Sequence, residues 1–209
     1  MNKWSVALVF GVVVASHLGY AHEEHHHHGS QQNLDQDRPH PLRGESIYNL
    51  GSTWTSQDGK QTKLSALQGR PVVVAMVYTS CQAACPMTIS DLKRIEEALP
   101  AAAKSQVRFA VFSFDFKRDT PAKLKEFVKA RSLDTNRWTL FHGEPSAVRK
   151  LSAVLGIRYK KDKNGDFDHS NVITILDKTG AIVHQQVGLR QDSKETVAKL
   201  TQILEVPAN

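Results

Sequence analysis

Residues Pro71-Val72-Val73-Val74-Ala75-Met76-Val77-Tyr78 form an unbroken apolar run rich in β-branched side chains. A strand with one face in water alternates apolar and polar residues, whereas a run without alternation is a strand buried on both faces. Such a strand needs a covering layer above and below it. In a chain of 209 residues that means helices packed on both sides of a sheet.

The flanking sequence supplies these layers. Residues 47–55 and the stretch around 61–64 flank the turn signal Gln57-Asp58-Gly59-Lys60, which predicts an N-terminal hairpin. Ile89, Leu92, Ile95 and Leu99 recur at helical spacing over residues 88–99, and residues 107–114 read as a second buried strand. Asp119-Thr120-Pro121 opens a helix with a capping residue and then proline at the first helical position, where its missing N–H costs nothing. Leu124, Phe127 and Val128 form that helix's apolar stripe. Residues 138–141 predict a strand, and 144–155 a helix closed by Gly156. Residues 171–176 and 181–187, joined by Asp177-Lys178-Thr179-Gly180, predict an antiparallel hairpin, and 193–204 a final helix. Strands alternating with helices, together with the hairpins, predict an α/β domain with a mixed central sheet.

Charge narrows the function. Lys plus Arg number 27 against 21 for Asp plus Glu, but the bases are scattered and the tight cluster Lys160-Lys161-Asp162-Lys163 is broken by an acid. That distribution argues against nucleic-acid binding, which needs a concentrated basic stripe. No run of 18 or more apolar residues exists, which excludes a multi-span membrane protein.

The N-terminus reads as a secretory signal over residues 1–21. Lys3 gives the positive start, residues 4–16 an apolar stretch of 13 residues, and Gly19-Tyr20-Ala21 small residues at the two positions a signal peptidase reads. Cleavage is expected after Ala21, with export to the periplasm. A membrane anchor is the rival reading, weakened by the short apolar run and by His17 within the extension it would need. No cysteine lies near the cleavage point, which excludes a bacterial lipoprotein. Residues 22–44 follow as a His-rich tail and a polar, proline-containing linker expected to be disordered. His22, His25, His26, His27 and His28 on that tail suit loose capture of Cu(II), Zn(II) or Ni(II), or else form a solvated arm without a role. Residues 45–209 make up the folded domain.

The chemistry concentrates at Tyr78-Thr79-Ser80-Cys81-Gln82-Ala83-Ala84-Cys85-Pro86, where the buried strand runs into a helix. Cys81 and Cys85 are the chain's two cysteines. At spacing i, i+4 they are expected on one side of a first helical turn, within reach of each other. A helix N-terminus favours negative charge, so at least one thiol should ionise readily. The pair is equipped to exchange a disulfide or to hold a soft metal; an inert staple is the blander alternative. C-x-x-x-C departs from the C-x-x-C of thioredoxin-type reductases, and two sulfurs alone leave a metal under-coordinated, so a third ligand is expected. Among the histidines outside the signal, tail and linker, His142 and His184 sit beside predicted strands without a motif and read as satisfied edge residues. His169 lies in Gly165-Asp166-Phe167-Asp168-His169-Ser170, read as a loop leading into the strand 171–176.

Three segments in order resemble one family. Tyr78-Thr79-Ser80-Cys81-x-x-x-Cys85-Pro86, Ser113-Phe114-Asp115-Phe116-Lys117-Arg118-Asp119-Thr120-Pro121, and Asp168-His169-Ser170 followed by a strand and Asp177-x-x-Gly180 are similar to motifs of the Sco/SenC proteins. These are exported copper-binding proteins of thioredoxin-like fold linked to assembly of the dicopper site of cytochrome c oxidase. The resemblance covers about residues 45–204. It implies that Cys81 and Cys85 are thiolate ligands and His169 the imidazole ligand. It also places Asp115 on an acidic position near the site, used either in partner contact or in local hydrogen bonds. Phe116 stands where the family has proline, which alters a loop and not the ligand set.

Two thiolates and an imidazole suit Cu(I), a fourth ligand would adapt them to Cu(II), and zinc would accept the same set. The expectation is a copper metallochaperone, monomeric by default, that hands copper to an accepting protein such as an oxidase subunit, or serves copper homeostasis. It would meet a membrane only through a partner or an uncleaved N-terminal segment. The main alternative is a thiol–disulfide oxidoreductase that reduces a partner's cysteines, with Cys81 as attacking thiolate. A peroxidase on the same fold is disfavoured, because Thr79 precedes Cys81 by two residues and no suitable proline precedes it.

Overall fold

Ser46 caps a 3-10 turn over Ile47–Leu50 by accepting the Tyr48 N–H at 3.2 Å, and Gly51 ends the turn at φ 63. Strand β1 therefore covers Thr53–Ser56 instead of starting at residue 47, and it pairs antiparallel with β2, Gln61–Lys63. This is the expected N-terminal hairpin with a turn in front of it. The structure is a computed structural model that describes residues 46–163 and 165–205. The predicted signal segment, the His-rich tail and the linker lie outside the described residues.

The chain continues through β3 (Val72–Val77), α1 (Ala84–Ala98), a short α2 (Ala101–Lys104), β4 (Arg108–Ser113), α3 (Pro121–Ala130), β5 (Trp138–Gly143) and α4 (Pro145–Val154). It ends with β6 (Tyr159–Lys161), β7 (Phe167–His169), β8 (Val172–Leu176), β9 (Ile182–Val187) and α5 (Lys194–Glu205). Seven strands form one sheet in the order β2-β1-β5-β4-β3-β8-β9. β3, β4 and β5 run parallel, while β1, β8 and β9 join antiparallel, so the sheet is mixed as expected.

All six residues of β3 are buried, as an apolar run without alternation requires. Ile89, Leu92 and Ile95 of α1 are buried as well, and Leu124, Phe127 and Val128 of α3 do the same for that helix. Aromatic side chains knit β1, β4 and β5 together. Phe109 stacks on Trp138 and Phe112 on Phe141, with centroids 4.5 and 4.9 Å apart, and Trp54 meets Phe112 edge-on at 4.7 Å. Among the described residues no helix is long and apolar enough to cross a membrane.

Two local readings change. The stretch around His169, expected as a loop, is a hairpin: β6 and β7 form a separate two-stranded sheet with Tyr159 opposite His169 and Lys161 opposite Phe167. Cys81 also lies ahead of α1 instead of in its first turn, because the helix starts at Ala84 and takes in only Cys85. Pro86 is then the third helical residue, where the backbone N–H still has no partner inside the helix, so proline fits there.

Candidate metal centre

The chain leaves β3 through a tight turn in which the Cys81 N–H donates to the Tyr78 carbonyl at 3.3 Å. This turn aims the first sulfur back towards the coming helix. The Cys85 N–H donates to Cys81 Sγ at 3.2 Å, and the Tyr78 N–H faces Cys85 Sγ at 3.5 Å. Both cysteines are free thiols and both are buried, Cys81 with 6% of its surface exposed and Cys85 with none.

The site is asymmetric. Burial pushes the Cys81 thiol up, but hydrogen bonds from the Cys85 N–H, the Cys85 thiol, the Ala83 N–H and the Tyr78 hydroxyl outweigh it, and the net shift is downward. Burial pushes Cys85 strongly up, and the Tyr78 N–H offsets only part of this; the neighbouring Cys81 and Asp119 raise it further. Cys81 thus ionises more readily than a free thiol, while Cys85 is held as the thiol.

His169 comes from the other side, on the last residue of β7. Its Nε2 lies 3.8 Å from Cys85 Sγ, and its Nδ1 lies 3.2 Å from the Ser170 carbonyl. A carbonyl can only accept, so Nδ1 carries the proton and Nε2 presents its lone pair to the sulfurs. Burial holds the His169 imidazole below its ordinary pKa, against the opposing pull of the Ser170 carbonyl and Asp168, so the ring is neutral and fit to ligate. The donor atoms of Cys81, Cys85 and His169 all lie within 4.8 Å of one another. Ligand bonds of about 2.0–2.3 Å span up to about 4.6 Å across one ion, so the set fits a single ion after the widest pair closes by a few tenths of an ångström. Cys81 and His169 line a cleft of about 280 Å³ together with Tyr78, Gln82, Asp166 and Phe167.

Side chains from distant segments support this geometry. Phe114 and Tyr78 pack against the His169 ring at centroid distances of 4.8 and 6.1 Å, and Phe167 packs against both. The Tyr78 hydroxyl accepts the Phe167 N–H at 3.4 Å. Tyr78 and Phe114 stood in the sequence motifs without an assigned role, and the aromatic cage they build with Phe167 has no sequence signature.

The other sequence-predicted residues fall as follows. Asp115 is 1% exposed; it accepts the Arg118 N–H at 3.3 Å and pairs with the Arg118 guanidinium. Its carboxylate is therefore spent on local bonds, and the group turned outward beside it is Arg118. His142 Nδ1 bonds the Asp119 carbonyl at 2.9 Å and His184 Nε2 meets Thr196 Oγ1 at 3.0 Å, so both have partners away from the cysteines. Thr120 is the cap of α3, accepting the Lys123 N–H. His22, His25, His26, His27 and His28 lie outside the described residues.

A mixed sheet with helices, two cysteines where the central strand meets its helix, and a histidine delivered by a separate hairpin bring two sulfurs and an imidazole together on a thioredoxin-like domain. The chain belongs to the SCO1/SenC family, whose profile matches residues 47–205. It is 27% identical over 154 residues to a candidate copper-binding protein of Stutzerimonas stutzeri, covering 71% of this chain and 73% of that protein. Among solved structures it is similar to a SCO1/SenC family lipoprotein of Bacillus anthracis, with TM-score 0.67 and 25% identity over 73% of this chain and 92% of the other. It is also similar to the copper-bound ScoI of Bradyrhizobium japonicum, with TM-score 0.59 and 28% identity over 73% and 96%.

Proposed function

We propose that this chain is an exported copper metallochaperone that holds copper through Cys81, Cys85 and His169 and passes it to an accepting protein. The observation that carries the reading is the convergence of two sulfurs and one correctly oriented imidazole nitrogen within 4.8 Å. Soft thiolates select Cu(I) over hard cations, and the neutral imidazole completes a three-donor set. The likeness to the copper-bound Bradyrhizobium protein supports the choice of metal. The accepting protein is a cytochrome c oxidase subunit or a component of copper homeostasis. Tail residues His22, His25, His26, His27 and His28 capture copper loosely upstream of the site. The chain reaches the periplasm by cleavage after Ala21, and acts as a monomer.

The residues divide the work. Cys81 offers a thiolate at the mouth of the cleft, Cys85 gives up its proton when the metal arrives, and His169 closes the set from the hairpin. Transfer proceeds by exchanging these ligands, one at a time, for those of the acceptor. Oxidation of Cys81 and Cys85 to a disulfide removes both thiolates, so loading requires the reduced pair. The unequal thiols also favour a second reading, a thiol–disulfide oxidoreductase in which Cys81 attacks a partner's disulfide and Cys85 resolves the mixed intermediate.

Anaerobic titration of the reduced protein with Cu(I) against a competing chelator tests both. One copper bound tightly, lost in Cys81→Ser and Cys85→Ser, weakened in His169→Ala and retained without residues 22–28, is the result expected of the carrier. Binding that ignores His169, or that follows the tail alone, would overturn it and leave the oxidoreductase.

A further inference from the structure

The hairpin that carries His169 is not part of the seven-stranded sheet. β6 and β7 pair with each other, and Ser170 and Asn171 lead from His169 directly into β8 of the main sheet; beyond that covalent link, the hairpin is held over the cysteines by side-chain contacts. Arg118 makes several of these contacts at once. Its Nε donates to Asp115, which is buried at the end of β4 and is itself held by donating its N–H to Ser113 Oγ at 3.0 Å. Its Nη2 donates to the Gly165 carbonyl, in the turn between β6 and β7, at 2.8 Å. Between these two ends, the guanidinium carbon lies 5.9 Å from the Tyr78 ring centroid and 6.0 Å from that of Phe167. Tyr78 precedes the cysteine loop, and Phe167 is two residues before His169 on the same strand.

We propose that Arg118 is a positioning residue for His169, a strap that ties the hairpin to the end of β4 and to the root of the cysteine loop and so keeps His169 Nε2 facing the two sulfurs. The proposal rests on Cys81, Cys85 and His169 being the metal site, and adds to it a residue that touches none of the ligands. A guanidinium suits the task because it donates in its plane from several N–H groups while its faces lie on aromatic rings. A lysine would still neutralise Asp115, but its compact ammonium cannot reach Gly165 and cover both rings together. Gly165, whose carbonyl takes the strap, holds φ 89, a turn conformation that disfavours a side chain.

The alternative is that Arg118 serves only to neutralise the buried Asp115 carboxylate. Arg118→Lys separates the two, because it keeps the cation and removes the strap; Arg118→Ala removes both and leaves Asp115 buried without its partner. Reduced full-length wild type, Arg118→Lys, His169→Ala and the double variant would be loaded with Cu(I), their affinities measured by chelator competition, and their copper shells read by X-ray absorption. Arg118→Lys is expected to weaken binding by about tenfold or more, to diminish the imidazole scattering, and to add nothing in the His169→Ala background. Wild-type affinity and undiminished imidazole scattering in Arg118→Lys, or losses that simply add to those of His169→Ala, would overturn the strap. Wild-type protein without imidazole scattering would instead overturn the copper site itself. A metal-free readout then still tests the strap: amide hydrogen exchange at Phe167, whose N–H is held by the Tyr78 hydroxyl, should quicken by about tenfold in Arg118→Lys while β3 and β4 stay protected. Unchanged exchange there would also sink it.

Discussion

Asp119 and Thr79 lie 40 residues apart in the chain and are joined twice: one carboxylate oxygen of Asp119 accepts the Thr79 N–H at 2.9 Å, and the other accepts the Thr79 hydroxyl at 2.5 Å. Ser113 Oγ donates to the same carboxylate at 2.6 Å, and Asp119 is fully buried. A buried ion is tolerated only where hydrogen bonds replace its water, and three donors do so here. The bond also does structural work on the site, because Thr79 is two residues ahead of Cys81.

Asp119→Asn keeps the shape and removes the charge, and its NH₂ group must then face donors. The expected loss is about 2–3 kcal/mol of stability together with weaker Cu(I) binding, as the Thr79–Cys81 turn loosens. Urea unfolding and chelator competition on the same variant check this. Native stability in Asp119→Asn would mean that the network does not anchor the loop.

The two thiols should differ in reactivity towards iodoacetamide. Cys81 is the more exposed and is held below the ordinary thiol pKa, whereas Cys85 is fully buried and pushed well above it. Reaction of the reduced native protein followed by peptide mass spectrometry is expected to label Cys81 at neutral pH and to leave Cys85 untouched until the chain unfolds. Equal labelling of both would contradict the asymmetry.

Copper binding should strengthen as pH rises. Cys85 carries a proton throughout the neutral range and must lose it to ligate, whereas His169, with its pKa lowered, is already unprotonated above pH 6.5. Apparent Cu(I) affinity is therefore expected to rise at least about tenfold per pH unit between pH 6.5 and 8.5. Isothermal titration in buffers of different ionisation enthalpy counts the protons released. A flat profile with no proton release would rule out Cys85 as a ligand.

The parts of this protein legible in the sequence are those set by short-range pattern. The β3 run announced a strand buried on both faces, Thr120-Pro121 announced the start of α3, and Asp58-Gly59 announced the β1–β2 turn; all three are present. The hairpin around His169 escaped because β6 and β7 have three residues each and expose Lys160 and Asp168 on one face, which is the composition of a loop. The position of Cys81 ahead of α1 depends on where the helix begins, and Ala83, the residue before it, offers no side-chain cap to mark the boundary. Arg118 and Asp119 stood in a motif, but their partners Gly165 and Thr79 are 47 and 40 residues away, and no local pattern records contacts of that span.

Away from the site, Tyr48 offers a pH-dependent measure of the N-terminal turn. It is 8% exposed, its hydroxyl donates to the Leu67 carbonyl at 3.3 Å, and its ring closes against Gly180, where a Cβ would lie 2.5 Å from the ring. Burial, reinforced by the charge of Asp177, raises its pKa to about 12. In the unfolded chain a tyrosine ionises near pH 10, so between those values the unfolded state loses its proton first. The stability contributed by neutral Tyr48 is thus complete below pH 10 and is lost as pH rises towards 12, by roughly 2 kcal/mol. Tyr48→Phe keeps the ring and cannot ionise. At pH 9 it should be less stable than wild type by about 1 kcal/mol, for the lost hydrogen bond. By pH 12 the order should reverse, because only wild type has lost the tyrosine contribution, while every other ionising group affects both proteins alike. Urea unfolding of the two proteins at each pH reads the difference directly, and a difference that stays constant from pH 9 to 12 would show that Tyr48 titrates in the folded protein as it does in water.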